Sequence, residues 1–255
     1  MTAAHAAGRG RPLPRAFVAA FAYAVRVCVP PKRAVLLLVP VVGAALFGLL
    51  AGVVEEATTE GQFNAVSNGL FGLVLPLASL VVGDAVLGAE VRSGTFALTW
   101  LSPASFPTIV LARWLAGWAI AAAALVPAMV TAALIAGLPE AVAPIIVATA
   151  FGTAAYIALF VFVGAAVQRA ALWSLGIVLL GERLLGTALT GIAQLSPQWL
   201  AQMVYADLGP DADELARSGM PTGWGAVVRL VIVTAVCLLL ATRRIRNLKL
   251  VGAAD

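Results

Sequence analysis

The chain has 255 residues, of which 62% are hydrophobic and 11% are charged. Soluble domains contain about 45–50% apolar and about 25% charged residues, so this composition excludes a water-soluble globule. The mean hydropathy of +1.01 instead suits a protein that exposes apolar side chains to lipid. The sequence therefore predicts an integral membrane protein.

Scarce residue types exclude most catalytic and metal chemistry. The one histidine is His5, and the two cysteines, Cys28 and Cys237, lie far apart, so neither a zinc motif nor a disulfide is expected. The two lysines, Lys32 and Lys249, do not belong to a G-x-x-x-x-G-K-[ST] phosphate loop. We therefore expect a non-catalytic chain that binds no metal and no cofactor and does not itself hydrolyse ATP.

The first predicted element is an amphipathic helix over residues 15–29, within an N-terminal cytoplasmic segment 1–34. Its apolar residues are Phe17, Val18, Phe21, Val25 and Cys28. We interpret it as a helix that lies in the membrane interface and is stopped by Pro30 and Pro31. A signal peptide is the alternative, but Arg26 interrupts the apolar run and no A-x-A cleavage site follows.

Six apolar runs are long enough to cross a hydrocarbon core of about 30 Å as helices. The predicted spans are 35–54, 70–86, 114–136, 142–167, 172–192 and 224–241. A turn is expected at 137–140, where a glycine, a proline and a glutamate interrupt an otherwise continuous run. The fold class is therefore an all-α membrane protein with a six-span domain over residues 35–241. Small residues at 44, 48 and 52 favour packing inside the bundle over a dedicated dimer face.

Charge placement predicts that both termini are cytoplasmic, because Lys and Arg prefer that side. Thirteen of the 16 basic residues fall on one side: Arg9, Arg11, Arg15, Arg26, Lys32, Arg33, Arg92, Arg113, Arg169, Arg243, Arg244, Arg246 and Lys249. The opposite connections carry mainly acidic residues: Glu55, Glu56, Glu60, Glu140, Asp207, Asp211, Asp213 and Glu214. Anchoring to an anionic leaflet accounts for the net charge of +4 without nucleic acid. A multi-pass protein of the cell membrane is expected, with a basic tail at 242–255.

Three ionisable residues lie within the predicted spans: Asp84, Glu182 and Arg183. A charge at the middle of a span costs about 2.5–3.5 kcal/mol on insertion scales. Glu182 and Arg183 point about 100° apart on a helix, so each needs its own partner. They either face a water-filled pathway or subunit interface, or form structural ion pairs with a neighbouring helix.

The connection between the second and third spans reads as a short amphipathic helix over 90–103. Ser93, Gly94 and Thr95 provide a helix start, and Pro103 provides a stop. Phe96, Leu98, Trp100 and Leu101 would be its exposed apolar side chains. Trp100 also has an ordinary interpretation as an interfacial belt residue.

This connection resembles that of the permease subunits of type-2 ABC exporters. The pattern is an acidic residue after the second span, a small-Gly-Thr step, a Leu-rich stretch, and a proline before the third span. The matching residues are Glu90, Ser93, Gly94, Thr95, Leu98, Leu101, Ser102, Pro103, Ala104 and Ser105. The sequence departs from the pattern at Phe106 and Pro107, where many members carry a basic residue. The six-span layout with a basic amphipathic N-terminal helix is similar as well.

The resemblance implies that the segment 90–103 is a coupling helix that docks on a separate ATP-binding subunit. Two such subunits, which carry ATP and Mg, would join two permease chains, identical or related. The implied docking residues are Glu90, Arg92, Ser93, Gly94, Thr95, Phe96, Leu98, Trp100, Leu101 and Pro103. The second and fifth spans would line the transport pathway, which includes Asp84, Glu182 and Arg183. The implied function is export of an amphipathic small molecule, peptide or lipid by alternating access.

The extracellular connection 193–223 is, by the same resemblance, expected to contain short re-entrant helices that cap the exit. Its acidic cluster, Asp211, Asp213 and Glu214, lacks the further ligands and central glycine of a calcium-binding EF-hand loop. We interpret the cluster as part of a solvated loop.

Two other classes of protein compete with the exporter. An intramembrane protease would need a histidine beside its serine, or a second membrane-embedded aspartate to share a proton with Asp84, and the sequence offers neither. An ion-coupled carrier or channel that uses Glu182 and Arg183 is the stronger alternative.

Overall fold

The computed structural model describes residues 13–28, 31–53, 61, 65–88, 90, 104–167, 169–209 and 217–247. These residues form helices joined by short turns, and no strand occurs among them. The predicted all-α fold class is therefore confirmed for the described part of the chain.

Five helices of the described part are long and apolar enough to cross a membrane. They are α3 (Ser67–Gly88), α4 (Phe106–Ile135), α5 (Val142–Ala166, preceded by a turn from Pro139), α6 (Ala170–Ala188) and α8 (Gly223–Arg246). The first predicted span lies on α2 (Pro31–Val53), which contributes an apolar stretch of Pro40–Gly52 that is shorter than the other five. The structure thus agrees with a membrane-spanning protein and gives five of the six predicted spans.

The amphipathic N-terminal element is also a helix, α1 (Leu13–Cys28). It packs along α4 and buries Ala24 and Cys28, whereas Val18 is exposed. Cys28 and Cys237 are both buried, and no disulfide joins them. Pro31 then opens α2, a position in which its missing N–H costs no helical hydrogen bond.

Helix α4 extends two turns beyond the predicted span toward its N-terminus. Ser105 is the N-cap: its hydroxyl accepts a hydrogen bond from the Thr108 amide at 3.4 Å, and Pro107 occupies the first turn. Hydroxyl caps and first-turn prolines both favour a helix start at this point. As a result, Arg113 belongs to a helix and not to the preceding connection.

The turn between α4 and α5 is confirmed. Helix α4 ends at Ile135, and Gly137 adopts a positive φ of 79°, a conformation that glycine enters without steric cost. The Leu138 amide bonds to the Ala133 carbonyl at 2.9 Å and the Gly137 amide to the Leu134 carbonyl at 3.1 Å. This is a Schellman ending, which reverses the chain within a few residues.

The small residues of α2 serve packing within the bundle. A Cβ atom on Gly48 would stand 2.5 Å from the Ala132 carbonyl oxygen, and one on Gly52 would stand 2.9 Å from that of Ile135. Both contacts are with the backbone of α4, which cannot move aside cheaply. The stripe at 44, 48 and 52 therefore lets two helices of the same chain approach closely.

A buried helix lies in the connection before the last span: α7 (Pro197–Leu208). All residues from 200 to 206 are buried, and α7 packs against α5 and α8. The Tyr205 ring lies 5.2 Å from that of Phe71 on α3. The acidic cluster at 211–214 lies outside the described residues.

Candidate functional site

A buried ion pair marks the start of the segment 90–103. The Arg113 guanidinium donates to a Glu90 carboxylate oxygen at 2.7 Å and to the Val86 carbonyl at 2.9 Å. Glu90 and Arg113 are only 5% and 2% exposed. Each charge is expensive to bury alone, but in the pair the two charges neutralise each other, and Arg113 also bonds the last turn of α3. We call Glu90, Arg113, Val86 and Tyr23 the Glu90 junction.

Helix α1 joins this junction through Tyr23. The Arg113 guanidinium carbon lies 5.7 Å from the centre of the Tyr23 ring, within the range of a cation–π contact. Burial, followed by the nearby Glu90 carboxylate, raises the pKa of the Tyr23 hydroxyl. The junction therefore ties α1, α3 and α4 to the residue at which the segment 90–103 begins.

Glu90 is the one predicted docking residue within the described part of the chain. The others lie outside it: Arg92, Ser93, Gly94, Thr95, Phe96, Leu98, Trp100, Leu101 and Pro103. The structure adds Arg113, which the sequence analysis places among the cytoplasmic charges, and Tyr23, which it does not single out. The sequence predicts Arg113 in a cytoplasmic connection. In the structure it lies seven residues after Phe106, the first residue of α4, and this position buries its side chain.

The predicted pathway residues share an unusual backbone conformation. Asp84 begins the π-helical segment Asp84–Gly88 at the end of α3, and Glu182 and Arg183 lie in the π-helical segment Ile177–Leu185 of α6. A third π-helical segment, Ser67–Val74, opens α3. Such segments are rare and occur frequently at functional sites. Asp84 is half-buried.

Glu182 is enclosed by hydrogen-bond donors from two other elements. Its carboxylate accepts from the Tyr156 hydroxyl of α5, from the Ser196 hydroxyl at 2.6 Å and from the Gln198 amide at 3.5 Å. The side chain is 3% exposed. Within the described part of the chain these partners are neutral, so the structural ion pair, one of the two alternatives for Glu182, is not what satisfies its carboxylate. We call Glu182, Tyr156, Ser196 and Gln198 the Glu182 cluster.

The cluster sits at the N-terminus of α7. Ser196 is the N-cap of that helix, and its hydroxyl oxygen also accepts from the Trp199 amide at 3.3 Å. Helix N-termini carry partial positive charge and unpaired amide groups, so a carboxylate at this position is stabilising. The Trp199 indole N–H bonds in turn to the Glu182 carbonyl at 3.1 Å. Glu182 therefore anchors α7 to α6 near the middle of α5.

Arg217 completes the contact between α6 and the chain that follows it. Its guanidinium donates to the carbonyls of Gly186 and Thr187 at 2.6 and 2.8 Å and lies 4.9 Å from the centre of the Trp199 ring. These carbonyls belong to the last turn of α6, which ends where Leu189 becomes extended. A cation at a helix C-terminus opposes the negative end of the helix dipole.

Arg183 contacts a different helix from the partners of Glu182. Its guanidinium packs on Gly72 of α3: a Cβ atom there would lie 2.7 Å from the nearest guanidinium nitrogen. The described residues give no salt bridge between Glu182 and Arg183. The helices of the second and fifth predicted spans, α3 and α6, are therefore in contact at Gly72 and Arg183.

The sequence contained partial signals for the residues that it did not single out. Ser196 followed by Pro197 is a typical N-cap and first-turn pair, which marks the start of α7 inside a presumed connection. Tyr156 is a hydroxyl within a long apolar run, and buried hydroxyls need a partner. That the partner would be Glu182 depends on the packing of α5 against α6.

The chain matches no protein-family model and no curated protein. In the described part of the chain, no group of three His, Cys, Asp or Glu residues could hold a metal ion. The class of protein that the structure supports is thus defined by the fold: an all-helical protein with apolar helices long enough to span a membrane.

Proposed function

We propose that this chain is the permease subunit of a type-2 ABC exporter in the cell membrane. The observation that best supports this function is the Glu90 junction. It links the base of the segment 90–103 to three helices through a buried ion pair, 2.7 Å between Arg113 and Glu90. A coupling helix needs such a rigid attachment, because its displacement must reach the membrane helices.

In this proposal, ATP binding closes two ATP-binding subunits, which carry ATP and Mg. The segment 90–103 moves with them and pulls on α1, α3 and α4 through Glu90. The packed helices then switch between inward and outward openings, since interfaces of this kind have discrete arrangements. A second permease chain, identical or related, completes the pathway, and six spans with both termini inside complete the topology.

The double variant Leu98→Asp/Trp100→Asp tests the coupling role. We expect it to insert normally but to lose ATP-driven transport, because two charges replace the apolar docking surface of the segment 90–103. Transport and ATP hydrolysis are measured in inverted membrane vesicles. The matched control is Leu98→Met/Trp100→Phe, which keeps the surface apolar and should transport. Full transport by the aspartate variant would contradict the coupling assignment.

An ion-coupled carrier is the second candidate, and the Glu182 cluster favours it. A carboxylate enclosed beside a tyrosine hydroxyl at membrane depth is a typical element of proton pathways. If the chain is an ion-coupled carrier, a proton gradient should drive transport without ATP. If the chain is an exporter subunit, transport should stop when ATP is removed. Transport assays in the same vesicles therefore distinguish the two functions.

A further inference from the structure

The Glu182 cluster surrounds one buried carboxyl group with hydrogen-bond donors on both of its oxygen atoms. One oxygen accepts from the Tyr156 hydroxyl, and the other accepts from the Ser196 hydroxyl at 2.6 Å and from the Gln198 backbone amide at 3.5 Å. An ionised carboxylate only accepts hydrogen bonds, so these three donors suit the ionised form. The side chain is 3% exposed, which leaves the carboxyl group dependent on these partners.

The same groups can also hold the protonated form. A protonated carboxyl group has one O–H donor, and the hydroxyls of Tyr156 and Ser196 can each turn to accept from it. Gln198 adds an acceptor, because its side-chain oxygen is buried and receives no hydrogen bond among the described residues. An unpaired buried acceptor is costly, and a protonated Glu182 brings a donor into the same cluster. The cluster therefore contains partners for both states of the carboxyl group.

Two more buried hydroxyls lie near Tyr156, where α3 packs against α5. Two contacts set the register of these helices: they pair Leu75 with Gly152 and Gly83 with Phe160. Residues four apart share a face of an α-helix, so Ser79 and Tyr156, each midway between these contacts, face each other. Thr153 lies one turn from Tyr156. Within the described part of the chain the hydroxyls of Ser79 and Thr153 have no hydrogen-bond partner, so a proton beside Tyr156 meets polar groups as well as hydrocarbon.

The other ionisable side chains on the described elements around Glu182 lie outside the cluster. On α6 itself, Arg183 packs on α3. Arg217 bonds the last turn of α6, and Arg229 of α8 bonds the chain after α6. Two carboxyl groups complete the set: Asp84 near the end of α3 and the exposed Asp207 near the end of α7. The bonds that respond directly to a proton on Glu182 are therefore those of the cluster.

The ionised and protonated forms differ in how firmly they hold α7. Ser196 is the N-cap of α7, and a negative charge at a helix N-terminus is stabilising. Protonation of Glu182 removes that charge, whereas hydrogen bonds between neutral groups remain. We therefore expect α7 to stay in place in both forms and to open more often when Glu182 is protonated.

We propose that the Glu182 cluster is a reversible proton-binding site. Glu182 takes one proton from water, which forms an O–H bond on the carboxyl group, and returns a proton to water when the pH rises. The hydroxyls of Tyr156 and Ser196 turn between donating and accepting, so no other covalent bond forms or breaks. This site goes beyond the permease function and requires neither ATP nor a partner subunit.

Infrared spectroscopy of the full chain in dodecyl maltoside micelles tests the site, because a protonated carboxyl group has a C=O stretch that an ionised one lacks. We expect a band from Glu182 that grows with one midpoint as the pH is lowered and is absent in Glu182→Gln. Glu140→Gln makes the same change at an exposed position and should keep this band. Tyr156→Phe should raise the midpoint by about one pH unit, since it removes a donor to the ionised form.

Hydrogen exchange of the segment 197–208 is the second measurement, expressed as protection factors that correct for the intrinsic effect of pH on exchange. Protection should be highest where Glu182 is ionised and should fall about tenfold as the pH drops through the infrared midpoint, because the charge at the α7 N-terminus is lost. Glu182→Gln, which is neutral at every pH, should show the lower protection throughout.

Identical carboxyl bands in the wild type and Glu182→Gln, at every pH at which the protein stays folded, would overturn the proposal. A Glu182 band that is constant over that range would overturn it as well. Protection of 197–208 that follows pH equally in both proteins would overturn the link to α7, and an unchanged midpoint in Tyr156→Phe would overturn the role of Tyr156. These assays contain neither ATP nor a partner subunit, so their failure leaves the permease proposal standing.

Discussion

Replacing Arg113 by Met is expected to destabilise the protein by about 3–5 kcal/mol, because it leaves a buried Glu90 carboxylate without its cation. The pair is closed to solvent, with side chains 2% and 7% exposed, so water cannot take the place of the guanidinium. The Val86 carbonyl also loses its donor. The free energy of unfolding is measured by reversible titration with SDS in neutral detergent micelles.

The double variant Glu90→Gln/Arg113→Met should recover a large part of this loss, since neither buried charge then remains. Arg169→Met and Glu140→Gln are matched controls: both remove a charge from an exposed position and should change stability by less than about 0.5 kcal/mol. If Arg113→Met were as mild as Arg169→Met, the Glu90 junction would not be a rigid attachment.

Replacing Glu182 by Leu is the second large change. It removes the acceptor of the Tyr156 and Ser196 hydroxyls and the carboxylate at the N-terminus of α7. Two buried donors without an acceptor, together with the loss of the helix–charge contact, are expected to cost roughly 3 kcal/mol or more. We expect α7 to detach from α6, which protease accessibility and hydrogen exchange of the segment 197–208 would report.

Glu182→Gln separates the structural role from ion coupling. An amide keeps one acceptor oxygen, and both hydroxyls can rotate to accept from its NH2 group, so we expect near-normal assembly and ATP-driven transport. An ion-coupled carrier that uses this carboxylate would lose transport in the same variant. Tyr156→Phe should resemble Glu182→Gln under the exporter proposal.

Hydrophobic length and a few capping residues were enough to predict most of the fold. The apolar runs gave the long helices because lipid requires each to satisfy its backbone internally. The turn after α4 followed from Gly137 and the proline behind it. The ends of α4 and α6 were harder, since apolarity does not locate a cap: Ser105 begins α4 and Leu189 ends α6.

The partners of the charged residues could not be predicted, because they depend on which helices are neighbours. From the sequence, Arg113 is expected to be a cytoplasmic charge. Its burial becomes evident only once α4 is known to begin at Phe106. Glu182 and Arg183 were expected to need separate partners, and the structure places them on different neighbours, but the neutral donors of the Glu182 cluster come from the packing of α5 and α7. The π-helical segments that position Arg183 opposite Gly72 have no clear sequence signature.

Recovery of the protein from the native membrane tests most directly our proposal that this chain works with a separate ATP-binding subunit. The tagged protein is purified in mild detergent, its stoichiometric partners are identified by mass spectrometry, and ATP hydrolysis is assayed. We expect a partner with a phosphate-binding loop and ATPase activity, both lost in Leu98→Asp/Trp100→Asp. Recovery of the chain alone, without ATPase activity, would contradict it.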